Sequence, residues 1–177
     1  NRRRSSAPDP FKSGPIAGKE KTVDFRFNEE QEELRAMARS FLEENSDSEA
    51  IRRAMESDLG WDPALWAQLA GELGWTAVHI PEAYGGLGLG HVELIALMEI
   101  MGETLTCSPF FSSVVLGTHL VLEAGQEEQK QAILPPVAEG ESRLAVAFAH
   151  LKGGAGPEDV TATVEREGEA FRLQGQY

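Results

Sequence analysis

Four histidines, His79, His91, His119 and His150, a single cysteine, Cys107, and the glycine-dense run from Gly85 to Gly90 are the residues whose types could do chemistry. Imidazoles and a thiol can hold a metal, but only as a converging set, and no two histidines stand three or four apart. Cys107 has no cysteine partner, which excludes an internal disulfide framework and fits a reducing compartment. His79 and His119 read individually as structural histidines whose ring nitrogens are satisfied in the fold. The glycine run invites a phosphate cradle, yet it lacks the G-x-x-x-x-G-K-[ST] pattern, and His91 stands where the last glycine of G-x-G-x-x-G would be. A tight interhelical loop that needs positive φ is the better reading. No G-x-S-x-G elbow anchors a hydrolase triad. The acids Glu29, Glu30, Glu32 and Glu33 sit where a helix's first turn favours negative charge, so they read as a solvated face.

The elements that must position these residues are mostly helices. Asn28 with Gln31 forms a capping box, and Leu34, Met37, Ala38, Phe41 and Leu42 follow as one apolar stripe. Ser46 and Glu49 suggest a second box. Asp62-Pro63 opens a third helix, with Leu65, Trp66, Leu69, Ala70 and Leu73 inward and Gly74 at its end. Trp75 to Ile80 reads as a short strand. His91 to Leu105 is helical and apolar nearly all round, as expected for a helix buried in a bundle. Ser108-Pro109 opens another such helix that ends at Gly125. Gln126 to Leu134 forms a last one, stopped by Pro135-Pro136. From Arg143 the pattern changes: Thr161–Glu165 and Ala170–Leu173 alternate at period two around Glu167-Gly168-Glu169, a hairpin. The fold class is mainly α, α+β overall: a helical bundle followed by the first strands of a β element.

The chain has 177 residues, 41% hydrophobic and 25% charged, an ordinary globular composition with room for one sizeable core. Its net charge of −13 repels phosphate backbones, so nucleic acid is not an expected partner. No apolar run is long enough to span a bilayer. The start of the chain is basic and rich in Pro, Ser and Gly, with Arg2, Arg3, Arg4, Lys12, Lys19 and Lys21 against Asp9 and Glu20. It reads as a flexible leader or linker over 1–24. The helical domain follows over 25–142 and an incomplete β domain over 143–177.

Read in order, the segments resemble the N-terminal part of the acyl-CoA dehydrogenase family. The resemblance rests on Phe27-Asn28-Glu29-Glu30-Gln31-Glu32-Glu33-Leu34 and on Leu73-Gly74-Trp75. It continues through Ile80-Pro81-Glu82-Ala83-Tyr84-Gly85-Gly86-Leu87-Gly88, similar to the family's P-E-x-Y-G-G-x-G loop. Ala124-Gly125-Gln126-Glu127-Glu128-Gln129-Lys130, then Leu134-Pro135 and Glu139-Gly140, complete it. The resemblance implies a helical N-terminal domain, a β-barrel-like middle domain and a C-terminal four-helix bundle. It implies an FAD-dependent oxidation of the Cα–Cβ bond of an acyl-CoA, with a glutamate base in the C-terminal bundle, so this fragment alone is expected to be inactive and no catalytic residue is assigned to it. Phe110, Phe111, Ser112, Ser113 and Leu116 are the implied lining of the acyl pocket.

The implied flavin contact departs from the family pattern A-x-T-E-P-x-x-G-S-D. Here the segment is Ala147-Phe148-Ala149-His150-Leu151-Lys152-Gly153-Gly154-Ala155-Gly156-Pro157-Glu158-Asp159, two residues longer than the pattern before Pro157-Glu158. Phe148, His150 and Asp159 are the candidate cofactor contacts, and FAD binding by this chain is weakened by the change. The altered motif resembles a divergent branch, the small subunits of pimeloyl-CoA and steroid side-chain dehydrogenases. A non-catalytic partner subunit, or a helical assembly domain of the same fold, is therefore the alternative reading. The implied partners are an acyl-CoA substrate, an electron-transfer flavoprotein or similar acceptor, and further subunits of a homo- or hetero-oligomer. The implied location is cytoplasmic, or the mitochondrial matrix in a eukaryote.

Overall fold

The structure, a computed structural model, describes residues 26–147, 156 and 161–175. The leader expected over 1–24 lies outside them. Asn28 caps α1 (Glu29–Asn45) through the reciprocal box with Gln31: its side chain accepts from the Gln31 N–H at 2.8 Å, and Gln31 Oε1 accepts from the Asn28 N–H at 3.0 Å. The stripe that follows buries Ala38 and Leu42. The second cap is Asp47 rather than Ser46. The Ser46 N–H closes α1 on Leu42 O at 2.8 Å and its side chain is buried, so Asp47 is left to accept from Ala50 N at the start of α2 (Ser48–Glu56). Asp62 caps α3 (Pro63–Gly71) as expected, accepting from Ala64 N at 2.8 Å. Gly74 then takes φ 65 at its exit.

Trp75 to Ile80 is no strand. The segment is fully buried, has no strand beside it among the described residues, and opens with a 3-10 turn over Trp75–Ala77, with Ala77, Val78 and Ile80 amides bonding three residues back. A short apolar run cannot be told from a buried helical turn by periodicity. After a second 3-10 turn (Glu82–Tyr84) and the glycine loop comes α4 (His91–Glu103). It is not covered all round: Leu94, Leu97 and Ile100 are buried against α1, while Val92, Ile95 and Glu99 face outward. Arg35 and Arg39 of α1 pair with Glu99 and Glu103 along that seam, at 2.9 and 2.6 Å. These are solvated pairs that set register more than stability.

The next helix is interrupted by a π-helical stretch (Phe111–Gly117), which runs into α5 (Thr118–Ala124). The Thr118 N–H reaches back five residues to Ser113 O, and the Thr118 hydroxyl donates to the same carbonyl at 3.0 Å. Gly117 is needed there because a Cβ would stand 2.3 Å from that of Leu144. The last helix, α6 (Glu127–Ala138), runs through Pro135 and Pro136 instead of stopping at them. Gln131 and Ala132, whose carbonyls lose their i+4 partners, are exposed to water. The far end is anchored: Thr76 Oγ1 donates to Ala138 O at 2.6 Å and Trp66 Nε1 to Gly140 O at 2.8 Å. Leu134 and Val137 join Ile80 in a second core cluster beside the main one.

β1 (Thr163–Glu167) and β2 (Ala170–Gln174) form an antiparallel hairpin in which Val164 faces Leu173 and Arg166 faces Phe171. Gly168 supplies the positive φ of its turn, at 67°. Every residue of both strands is exposed.

Candidate functional site

The end of α4 and the start of the π-helical stretch enclose an apolar groove of about 260 Å3. Its walls are Met98, Met101 and Gly102 from α4, then Leu105, Phe110 and Phe111, with Thr106 and Ser108 as the polar members. The local chain explains the shape. Thr106 N bonds Met101 O and Leu105 N bonds Gly102 O, the paired closure of a Schellman motif. Leu105 occupies the left-handed position, φ 49, that glycine usually fills, and its side chain is largely exposed. Backbone strain of this kind concentrates at ligand sites. Phe110 is only 1% exposed and belongs to the main core, whereas Phe111 is 54% exposed.

The two phenylalanines are thus brought to one groove, one as floor and one as rim. Ser112, Ser113 and Leu116 are not among the lining residues. Ser112 Oγ donates to Pro109 O at 3.1 Å, the back-bond open to a hydroxyl in a helix. Ser113 is fully buried and its Oγ accepts the Leu144 N–H at 3.0 Å, tying the helix to the segment that leaves the bundle. Leu116 is half-buried. Phe148, His150 and Asp159 lie outside the described residues. Sequence reasoning missed Met98, Met101, Gly102 and Leu105, because α4 reads as core on every side. The available signal was a helix end at Thr104-Leu105-Thr106 with no glycine in it.

The glycine loop holds no spare donors for a phosphate. Its amides from Gly85 to Leu89 are all bonded within the turn, to Glu82, Pro81, Ala77, Ile80 and Val78 carbonyls. Gly85 and Gly88 adopt φ 79 and 63. Gly86 has no room for a side chain, since a Cβ would sit 1.9 Å from Ile80 O. The Tyr84 hydroxyl donates to Glu127 of α6 at 2.9 Å, which raises the phenol's pKa and, after the Gln131 contact, helps lower that of the carboxyl.

The histidines are a correction. His79, His91 and His119, distant in sequence, come together: His79 and His119 stack with centroids 4.6 Å apart, and His91 lies 4.8 Å from His119. His91 Nε2 and His119 Nε2 are 2.7 Å apart, and His119 Nδ1 bonds Val115 O at 2.8 Å. His119 is therefore satisfied, as expected, but His79 is not: both its ring nitrogens are buried without a partner. Burial, then the nearby His119 and His91, hold its pKa down at about 4. Sequence spacing cannot show a cluster assembled from three separate segments. Among the described residues, no group of three His, Cys, Asp or Glu is arranged to hold a metal ion, and no helix is long and apolar enough to cross a membrane. The Cys107 thiol is free and sits near the Ile51 and Leu105 carbonyls.

The chain is 35% identical over 121 residues to the acyl-CoA dehydrogenase IpdE2 of Mycolicibacterium smegmatis, a stretch that covers 68% of this chain and 37% of that relative. It is 28% identical to a 3-(aryl)acrylate reductase of Clostridium sporogenes, over 85% of this chain and 40% of the relative. Among solved structures, a variant of the Tcur3481-Tcur3483 steroid ACAD superimposes with a TM-score of 0.72 at 33% identity, covering 83% of this chain and 40% of that one. The ChsE4-ChsE5 complex of Mycobacterium tuberculosis does so with a TM-score of 0.75 at 26% identity, covering 86% and 40%. The chain thus spans about two fifths of the length of these relatives. The acyl-CoA dehydrogenase N-terminal domain matches residues 28–141, most of the chain and all six helices, so this protein belongs to the acyl-CoA dehydrogenase family and carries its N-terminal helical domain.

Proposed function

We propose that the chain is part of an acyl-CoA dehydrogenase subunit that oxidises the Cα–Cβ bond of an acyl-CoA thioester, and that the groove at Phe110 and Phe111 is the far wall of its acyl site. The observation that carries this reading is the groove itself: an apolar hollow, walled by two methionines and two phenylalanines, in a domain of this family. Such walls take an alkyl or ring system and exclude water from it. Ser112, Ser113 and Leu116 would support the wall from behind. The chemistry also needs a carboxylate base for the thioester-acidified α-proton and an electron sink for the β-hydrogen. We assign no base to the described residues. In the complete protein FAD would supply the sink, and an electron-transfer flavoprotein or a similar carrier would receive the electrons.

The flavin-contact segment of this chain departs from the family pattern, which weakens the case for FAD binding by this chain alone. Against the family pattern His150 takes the threonine place and Lys152 replaces the acidic-Pro pair, and only Asp159 is retained. That departure favours a second reading, a subunit whose role is assembly with a flavin-binding partner. The likeness to one chain of the two-component ChsE4-ChsE5 complex points the same way.

One experiment separates the two. The complete polypeptide, purified alone and with its co-expressed partner, would be examined for the flavin absorption spectrum and for dye-coupled oxidation of a panel of acyl-CoAs. Flavin and turnover in the lone subunit support the first reading; flavin only with the partner supports the second. Gly102→Leu tests the groove, since a Cβ at Gly102 meets nothing within 4 Å and the added side chain would enter the hollow. The expected outcome is a preference moved to shorter acyl groups with unchanged stability. An unchanged preference in a folded variant would remove the groove from the acyl site.

A further inference from the structure

The three imidazoles lie outside the acyl groove and have no part in the reading above. His79 leads into the glycine loop, His91 is the first residue of α4, and His119 belongs to α5. The rings lie within 6.4 Å of one another, centroid to centroid. A carbonyl can only accept, so the contact with Val115 O puts a hydrogen on His119 Nδ1. In the neutral ring the lone pair is then on Nε2, and the hydrogen in the 2.7 Å contact belongs to His91. The first added proton can go to Nδ1 of His91, an exposed residue, and leaves both contacts of His119 in place. A second has no such place. On His119 Nε2 it would set two N–H groups against each other. On His79 it would charge a buried ring stacked on His119, with nothing to accept its hydrogens.

Among the described residues no carboxylate relieves this. On α4, Glu93 is committed to Gln31 and to the Gly90 N–H. On α5, Glu123 is exposed one turn beyond His119. Glu82 opens the 3-10 turn ahead of the loop, Glu127 of α6 is held by Tyr84 and Gln131, and Lys130 of α6 adds only positive charge. Among the described residues none of these bonds an imidazole.

We propose that the His79–His91–His119 cluster is a proton-operated latch, which holds the glycine loop against the starts of α4 and α5 while it carries at most one extra proton and releases the loop when a second enters. The release is local because the loop is stitched to the residues on either side of His79. Leu87 N bonds Ala77 O, Leu89 N bonds Val78 O and Gly88 N bonds Ile80 O, all at 2.8 to 2.9 Å. A displaced His79 pulls on all three.

The test is amide hydrogen exchange on the complete polypeptide, read from peptides covering residues 76–92 between about pH 7.5 and about pH 5 and corrected for intrinsic exchange rates. Protection at Leu87–Leu89 should fall by at least about tenfold over that range while α4 beyond Leu94 stays protected. His79→Phe, which keeps the stack and removes the proton site, should flatten the profile, and so should His119→Gln. A flat wild-type profile overturns the latch without reference to any variant. An equal fall in wild type and in both folded variants overturns it as well.

Discussion

At the scale of single residues, the buried His79 sets a pH dependence with a definite sign. Its ring is neutral in the fold, with a pKa near 4 against an ordinary value of 6.5, because burial and two neighbouring imidazoles oppose the cation. The unfolded chain therefore binds more protons between those values, so stability is complete above pH 6.5 and is lost as pH falls toward 4. The contribution can be no steeper than about 1.4 kcal/mol per pH unit. Urea melts of wild type and His79→Gln across that window should converge at the acid end, because the variant lacks this slope. Parallel curves would mean that His79 does not titrate as its surroundings imply. None of this was legible in the sequence, where a lone histidine in an apolar run reads as core. What was legible at this scale was the set of local rules: the Asn28–Gln31 box, Asp62 before Pro63 and Gly168 in its turn all act within four residues. The Phe110–Phe111 pair was legible as a candidate wall, but which is floor and which is rim depends on how α4, the helix before the pair, packs against it.

At the scale of elements, the misreadings share a cause: a local signal was overridden by a distant partner. Pro135 and Pro136 signal a stop, yet α6 continues because Leu134 and Val137 are fully buried and its end is capped from elsewhere in the chain. Thr76, itself fully buried, provides one of those caps. Replacing it with valine would keep the shape and leave Ala138 O without its donor. The expected cost is about 1–3 kcal/mol, the penalty for an unsatisfied buried acceptor. Equilibrium denaturation of Thr76→Val measures it, and Thr76→Ser should recover most of the loss. A neutral Thr76→Val would show that water reaches the α6 end and that the proline-containing turn needs no anchor. The π-helical stretch belongs with these cases. Gly117 and Ser113 look like ordinary helix residues, and their purpose shows only when Leu144 is packed on one and bonded to the other.

At the scale of the whole chain, the order of motifs was enough to place the family, since a fixed succession of caps, loop and turn constrains the path of the helices. The same order says little about the hairpin. Val164, Phe171 and Leu173 are 61%, 66% and 75% exposed, so the strands form without burying the apolar residues that alternate along them. A two-stranded hairpin with no sheet or helix against it is marginal in water. In the 177-residue chain, amides of β1 and β2 should therefore exchange almost as fast as an unfolded peptide, while those of Leu97 and Ile100, fully buried in the main core, exchange orders of magnitude more slowly. In the longer polypeptide that the relatives' lengths suggest, covering strands should bring the hairpin's protection up toward that of the helices. Residue-resolved exchange on both forms makes the comparison. Slow exchange of the hairpin in the short chain would mean that Phe171 and its neighbours dock on the helical domain.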